Sequence, residues 1–298
     1  VPELPDVSVY CERLHALTAG RRLLGVRLAS PFLLRTHTPP LASVHGLRVE
    51  RVGRQAKRIV WELEGERFLV VHLMVAGRLH RAAAGARIPA RGGVAAFDFE
   101  DVTITFTEVS KKKRASLHVL DGRAAVQALD AGGIDGRTAT VDQVRALLSE
   151  RHTLKRSLTD PRLFDGIGGA YADEILFEAG LSPTAWSDRL DDAAVERLIA
   201  AMRSVLDGWT ERLRAEVGEG FPERVTAFRP EMHVHGRYGQ TCRRCEAPIL
   251  RIVHGERETN YCPTCQTGGK VLADRALSTL LKKDWPENLE ELAAMKRW

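Results

Sequence analysis

The sequence predicts an α+β protein with a β-rich N-terminal part, a helical part after it and a small four-cysteine zinc hairpin near the C-terminus. Three observations predict it. Short β-branched or aromatic runs separated by turns fill the chain to about residue 120. After Gly132-Gly133 the apolar spacing changes to steps of three and four. Four cysteines stand as Cys242-x2-Cys245, then sixteen residues, then Cys262-x2-Cys265. With 298 residues, 44% hydrophobic and 28% charged, the chain is long and apolar enough to bury a core, which excludes a disordered chain and a collagen-like fibre.

Residues 6 to 19 read as a helix stopped by Gly20, with Cys11 on the face that carries Val7, Tyr10, Leu14 and Leu17, so core packing is its expected role. Strands follow at Ile59 to Leu63, at Phe68 to Leu73 after the Glu64-Gly65 turn, and at Val94 to Phe99 and Val102 to Phe106 around Glu100-Asp101. Helices are expected at 141 to 150, 170 to 180 and 188 to 217. In the last, Leu190, Ala194, Leu198, Met202, Val205, Trp209, Leu213 and Val217 form a stripe that reads as core. No internal repeat appears, and a tail of mixed charge runs from Thr267 to Trp298.

No run of eighteen apolar residues occurs, and the first thirty residues carry Glu3, Asp6, Glu12, Arg13 and Arg21 where a signal peptide needs an apolar stretch. A soluble intracellular protein is expected. In that setting two CxxC knuckles joined by a β-hairpin bring four thiolates to one Zn2+. The alternative for the same spacing is a pair of disulfides. Four thiolates fill a tetrahedron and leave no place for water, so the zinc is expected to be structural. The net charge of +5 suits a polyanionic partner but decides nothing alone. From Pro222 to Arg257, Arg224, Arg229, Arg237, Arg243, Arg244, Arg251 and Arg257 outnumber Glu223, Glu231, Glu246 and Glu256. That excess fits a phosphate-lined groove, and equally a solvated basic surface on a structural module.

Three fragments occur in one order: Pro2-Glu3-Leu4-Pro5-Asp6-Val7; Gly166-Ile167-Gly168-Gly169-Ala170-Tyr171-Ala172-Asp173-Glu174; and His235-Gly236-Arg237-Tyr238-Gly239 running into the four cysteines. Together they span residues 2 to 266 and resemble the formamidopyrimidine-DNA glycosylase and endonuclease VIII family. The resemblance implies a two-lobed enzyme: an N-terminal catalytic β-sandwich with flanking helices over 1–125, a linker over 126–140, a helix-two-turns-helix DNA-binding domain over 141–230, a zinc finger over 231–266 and a C-terminal extension over 267–298. It implies a bifunctional DNA glycosylase and abasic-site lyase of base excision repair, which flips an oxidised or ring-opened base out of double-stranded DNA. Such a protein would be a cytoplasmic monomer, nucleoid-associated when bound to DNA, with no membrane partner. A non-catalytic damaged-DNA-binding protein on the same scaffold is the alternative.

An amine that attacks a sugar C1′ must be unprotonated, and an α-amino group ionises near about 8 whereas a lysine needs about 10.4. If Val1 stands for a removed initiator, Pro2 becomes that terminus, and its secondary amine forms an iminium with the opened sugar. With Val1 retained, the Pro2 nitrogen is a tertiary amide and no nucleophile. Glu3 matches the family's proton-transfer acid and would otherwise be a helix N-terminal charge. Asp6, one methylene shorter than the usual glutamate, is expected to cap or support. Lys57 matches the lysine that grips the phosphate beside the lesion, or is an ordinary strand-edge lysine. Tyr171 and Glu174 lie in the matched loop and are expected at the DNA-binding surface, Glu174 as a carboxylate near the pocket or one half of a helix charge pair. Gly168 and Gly169 would let a phosphate approach the helix N-terminus, with Lys155 adding charge, although the family usually has asparagine where Gly169 stands. Arg257 matches the zinc-finger arginine that grasps the phosphate flanking the flipped nucleotide.

The void-filling residues depart from the family. In His72-Leu73-Met74-Val75-Ala76-Gly77 the usual methionine position is Val75, with Met74 one place early. The loop that usually supplies an arginine and a phenylalanine holds Lys111, Lys112 and Lys113 instead. Those lysines either grip the backbone electrostatically or form a solvated hairpin tip. The segment Gly220 to Arg229 does not match the loop that closes over an oxidised purine in relatives, so the preferred lesion stays open.

Overall fold

The computed structural model describes residues 1–223, 225–255, 257–273 and 285–295. The chain divides into two compact units, Val1–Ala131 with Trp209–Thr226, and Gly132–Gly208 with Ala227–Trp298.

In the first unit, helix α1 (Leu4–Thr18) precedes eight antiparallel strands: β1 (Leu23–Leu28), β2 (Val49–Gln55), β3 (Arg58–Leu63), β4 (Arg67–His72), β5 (Gly77–Ala83), β6 (Gly93–Phe99), β7 (Val102–Glu108) and β8 (Ser116–Asp121). They form two four-stranded sheets, ordered β1-β6-β7-β5 and β2-β3-β4-β8. Alternation along β3 sends Ile59, Trp61 and Leu63 into the main core with Phe97, Ile104 and Phe106 of the other sheet, so the sheets make a sandwich. Trp61 and Phe97 stack across it with centroids 5.3 Å apart. Val60, Phe68 and Val70 face the other way and are covered by Val126 of helix α2 (Arg123–Gln127). Burial on both faces explains why these strands read as nearly unbroken apolar runs. Val7, Tyr10, Cys11 and Leu14 of α1 enter the same core, with the Cys11 thiol donating to the Gly53 carbonyl at 3.0 Å.

The second unit contains α3 (Val141–Leu147), α4 (Leu154–Thr159), α5 (Gly169–Glu178), the strands β9 (Leu250–His254) and β10 (Arg257–Tyr261), α7 (Pro263–Thr267) and α8 (Leu289–Met295). Helix α6 (Asp192–Val217) starts in this unit and has its last turns in the first. Along it Ala194, Leu198, Met202, Trp209 and Leu213 are buried, as the stripe predicts.

The segment after α6 is tied to the β-sandwich unit. Arg214 forks onto Glu12 with two 2.8 Å bonds, and Arg13 Nε donates to the Gly220 carbonyl at 2.8 Å. Phe221 packs on Tyr10 at 5.7 Å, and Val225 is buried in the core. The expected helix limits differ from those observed by at most four residues, and the start of α3 and the end of α6 match. The largest difference is at the start of α6, where a 3-10 turn over Ser187–Arg189 precedes the helix. Among the described residues no helix is long and apolar enough to cross a membrane.

Candidate nucleic-acid interface

Pro5 sits in the first turn of α1, where no backbone donor is needed, and Glu3 caps the helix in extended backbone. Asp6 accepts the Glu3 N–H at 3.0 Å, the capping contact expected of it. Pro2 and Glu3 are buried, Glu3 only 3% exposed. Burial holds the ammonium of Val1, the residue before Pro2, below its ordinary pKa. Arg78 and Lys57 push in the same direction, and Glu3 and Asp6 oppose them. Glu3, Asp6, Lys57 and Arg78 therefore all act on the same terminal amine. Arg78, which the sequence reading did not single out, also donates through Nε to the Val225 carbonyl at 2.7 Å and through Nη1 to Gly77 and Val75 carbonyls at 2.6 and 3.1 Å. Nearby on the same unit, His80 meets Glu223 at 2.7 Å.

The β4–β5 turn is tight. Met74 has φ +51°, and a Cβ on Gly77 would lie 2.3 Å from the Leu73 carbonyl oxygen, so only glycine fits there. The turn leaves Met74 half-buried and Val75 54% exposed. Gly77 pairs with Glu108, so the basic loop after β7 emerges beside this turn. That loop is closed from within: Glu108 Oε1 accepts Arg114 and Ala115 N–H groups at 2.8 and 3.1 Å, and Lys113 reaches the Glu108 carbonyl. Lys111, Lys112 and Lys113 are exposed, and Val109 beside them is 68% exposed. Behind the turn, burial together with Arg58, Lys57 and His118 lowers the pKa of His72 to about 4, leaving a neutral ring among cations.

In the second unit, α5 begins at Gly169 with Gly168 at its cap. Gly169 has ordinary backbone, is exposed, and a Cβ there would meet nothing within 4 Å. The fold itself does not require glycine at this place. Lys155 is turned inward: its Nζ binds Asp173 and donates to the Gly169 carbonyl at 2.9 Å, so its charge is spent beside the helix start. Asp173, fully buried, also meets His235 Nδ1 at 2.8 Å. Glu174 accepts the N–H groups of His233, Val234 and His235 at 2.7, 2.9 and 2.9 Å. Tyr171 is buried within the same helix. The carboxylates of α5 thus anchor the segment leading to the cysteines. Sequence could place Asp173 and Glu174 on one helix but not foresee the His233–His235 backbone as the partner of Glu174, nor the Lys155 and His235 side chains as partners of Asp173.

The four cysteine Sγ atoms lie within 4.8 Å of one another, and all four cysteines are unbridged. The Cys242–Cys265 and Cys245–Cys262 separations are 3.9 and 3.4 Å, far beyond a disulfide bond and fitting the edges of a tetrahedron around Zn2+. Arg244 and Cys265 N–H groups point to Cys242 and Cys262 sulfurs at 3.4 Å, which favours thiolates. These residues form a structural zinc site. Phe177 of α5 packs with Cys242, Ile249 and Cys262, and the Arg244 guanidinium lies 4.4 Å over its ring, fixing the first knuckle to the helix. At the far end of the hairpin Arg257 is exposed, opposite His254.

Comparison with known proteins agrees with this arrangement. Residues 1–127 match the formamidopyrimidine-DNA glycosylase N-terminal domain, 135–214 the formamidopyrimidine-DNA glycosylase H2TH domain, and 239–268 the zinc finger found in FPG and IleRS. A formamidopyrimidine-DNA glycosylase from Heliobacterium modesticaldum is 31% identical over 279 residues, covering 89% of this chain and 100% of the relative. An uncharacterized formamidopyrimidine-DNA glycosylase-like protein from Mycobacterium tuberculosis is 38% identical over 151 residues, covering 50% of this chain and 94% of its own. Among solved structures, the Lactococcus lactis Fpg in complex with DNA containing an abasic site shares the fold at a TM-score of 0.77 and 21% identity, covering 89% of this chain and 99% of that one.

Proposed function

The chain belongs to the formamidopyrimidine-DNA glycosylase family, and from that premise we propose that it is a bifunctional DNA glycosylase and abasic-site lyase of base excision repair acting on damaged duplex DNA. The observation that carries the reading is the burial of Pro2 and Glu3 at the start of α1, where the amine of the preceding Val1 has its pKa lowered by burial in the field of Glu3, Asp6, Lys57 and Arg78. With Pro2 as the mature terminus, its secondary amine attacks C1′, the bond from C1′ to the base breaks, and Glu3 supplies the proton that the leaving base or ring oxygen needs. The sugar ring opens to an iminium, whose electron pull lets a C2′ proton leave as the 3′ phosphate departs. Lys57 holds a phosphate beside this centre.

On the second unit, Arg257 grasps a phosphate from the exposed end of the zinc hairpin. A phosphate also fits the open space around Gly169 at the α5 N-terminus. Val75 and Val109, exposed on neighbouring tips among lysines, are the apolar side chains available to enter the gap a flipped base leaves. The lysine loop would add grip on the backbone.

Borohydride trapping tests the proposal. Protein whose intact mass corresponds to a Pro2 terminus should crosslink to an abasic-site duplex, and Pro2→Gly should lower the yield. No crosslink from correctly processed wild type would favour a protein that binds damage without cutting it.

A further inference from the structure

The three matched family domains end at residue 268, yet the chain folds back past that point. In the β9–β10 hairpin, Leu250 and Ile252 alternate onto one face, and Tyr261 sits opposite Leu250 in the ladder. A two-stranded hairpin is at best marginally stable alone, and its apolar face needs cover. Trp285, Leu289 and Leu292 pack against that face in one cluster. The return is fastened by backbone and side-chain bonds: Val271 N–H to the Glu287 carbonyl at 2.9 Å, a bridge between Lys270 and Asn288, and Leu272 N–H to the Tyr261 hydroxyl at 2.8 Å. Helix α8 is capped reciprocally, with Asn288 Oδ1 accepting the Glu291 N–H at 3.0 Å and Glu291 Oε2 accepting the Glu287 N–H at 2.8 Å.

We infer that residues 285–295 are a brace that positions the zinc hairpin, so that retention of the metal and the reach of Arg257 are both set by a segment outside the matched zinc-finger domain. The covalent path makes the link. Tyr261 is followed directly by the ligand Cys262, and Leu250 stands five residues after the ligand Cys245, so an uncovered hairpin loosens both knuckles. Arg257 opens β10, the strand that Tyr261 closes, and any twist of that strand moves its guanidinium. Only the DNA part of this inference rests on the proposed function.

The test uses full-length zinc-loaded protein with Leu289→Ala and Leu292→Ala together, and Glu290→Gln as an exposed control. Hydrogen exchange at the amides from Leu250 to Tyr261 should quicken by about tenfold, zinc should pass faster to a colorimetric chelator, and dissociation from an abasic-site duplex should speed up. Exchange in β3 and β4 should not change, Glu290→Gln should match wild type on every readout, and Leu289→Met should keep most of the wild-type behaviour. Unchanged hairpin exchange and zinc release in the double variant would overturn the brace. If the double variant fails to fold, Leu292→Val, which trims the brace's own side chain, gives the same comparison at smaller amplitude. A wild type that binds no damaged duplex would count against the proposed function alone, because exchange and zinc release still decide the brace.

Discussion

The Nδ1 of His72 accepts the N–H of Met74 at 3.3 Å, which requires that nitrogen to be unprotonated. The bond holds a residue at φ +51° in the turn that presents Val75. A ring buried beside Arg58 and Lys57 resists protonation, so burial and charge together keep the turn pinned.

Stability should therefore depend on pH through this ring. Unfolded, His72 takes a proton near its ordinary pKa of 6.5, whereas folded it does so only near about 4. Between those values the unfolded chain binds a proton that the fold refuses, so the contribution is intact above 6.5 and falls away as pH drops toward 4. The full loss is about 3 kcal/mol. His118, lowered chiefly by its own burial, acts in the same direction. Urea midpoints measured from pH 7.5 to 4.5 should decline in wild type and decline less in His72→Gln. Equal slopes would show that the ring is not held neutral.

Glu174→Ala should destabilise the second unit. The carboxylate is 2% exposed and takes three backbone N–H groups, and removing it leaves them without that acceptor beside buried Val234. A cost of about 3 kcal/mol is expected. The loss should appear as faster exchange at His233, Val234 and His235 and as weaker DNA binding. Wild-type exchange at those three amides would refute the anchoring role.

What was legible in the sequence followed period and spacing. The three-and-four stripe of α6, the strands around Trp61 and Phe97, and the thiol tetrahedron all express local patterns that tertiary context did not alter. What was not legible depended on partners far along the chain. Lys155 reads as added charge at the helix start, with no local sign that Asp173 holds it, and Glu174 reads as a pocket carboxylate or half of a helix charge pair, with no local sign that residues 233–235 supply its donors. Arg78 carried no signal, being one arginine on an ordinary strand, yet it joins the terminal amine, the β4–β5 turn and Val225. The tail from Thr267 reads only as mixed charge, because Trp285, Leu289 and Leu292 are too sparse to show a face until β9 and β10 provide the other half.

The basic loop should act through charge. Changing Lys111, Lys112 and Lys113 together to alanine leaves Glu108 bound to the Arg114 and Ala115 amides, so the loop keeps that closure. If each lysine neutralises one phosphate, the slope of log affinity against log salt should become shallower by about 2 to 3. Titrations of a damaged duplex at several salt concentrations read this directly. An unchanged slope would make the loop a solvated tip.

Stripping zinc should weaken DNA binding without abolishing the N-terminal chemistry. Without metal, four thiols crowd within 4.8 Å, and burial raises the pKa of Cys262 and Cys265, while at Cys245 burial is outweighed by hydrogen bonds from Ala247 and the neighbouring thiols, which lower it. Zinc must displace such protons to bind, so its affinity should fall as pH falls. Chelated protein should lose protection along β9 and β10 and lose duplex affinity, while the sandwich keeps its own unfolding transition. A zinc-free sample with full affinity would break the link between metal and Arg257.

Arg78→Met should move the pH dependence of trapping upward. Burial, Arg78 and Lys57 lower the pKa of the Val1 amine, while Glu3 and Asp6 raise it; a Pro2 terminus one residue further on stands among the same charges, so removing the Arg78 charge should shift its balance toward the protonated form. An ammonium has no lone pair for C1′, so at a given pH less of the variant is competent, and higher pH restores it. The expected result is a borohydride-trapping curve displaced to higher pH, with the wild-type plateau approached in alkali. The variant also gives up the Arg78 bond to the Val225 carbonyl, which would lower the plateau but not displace the midpoint. A lower plateau at an unmoved midpoint would assign Arg78 to holding that segment and remove it from the electrostatics of the amine.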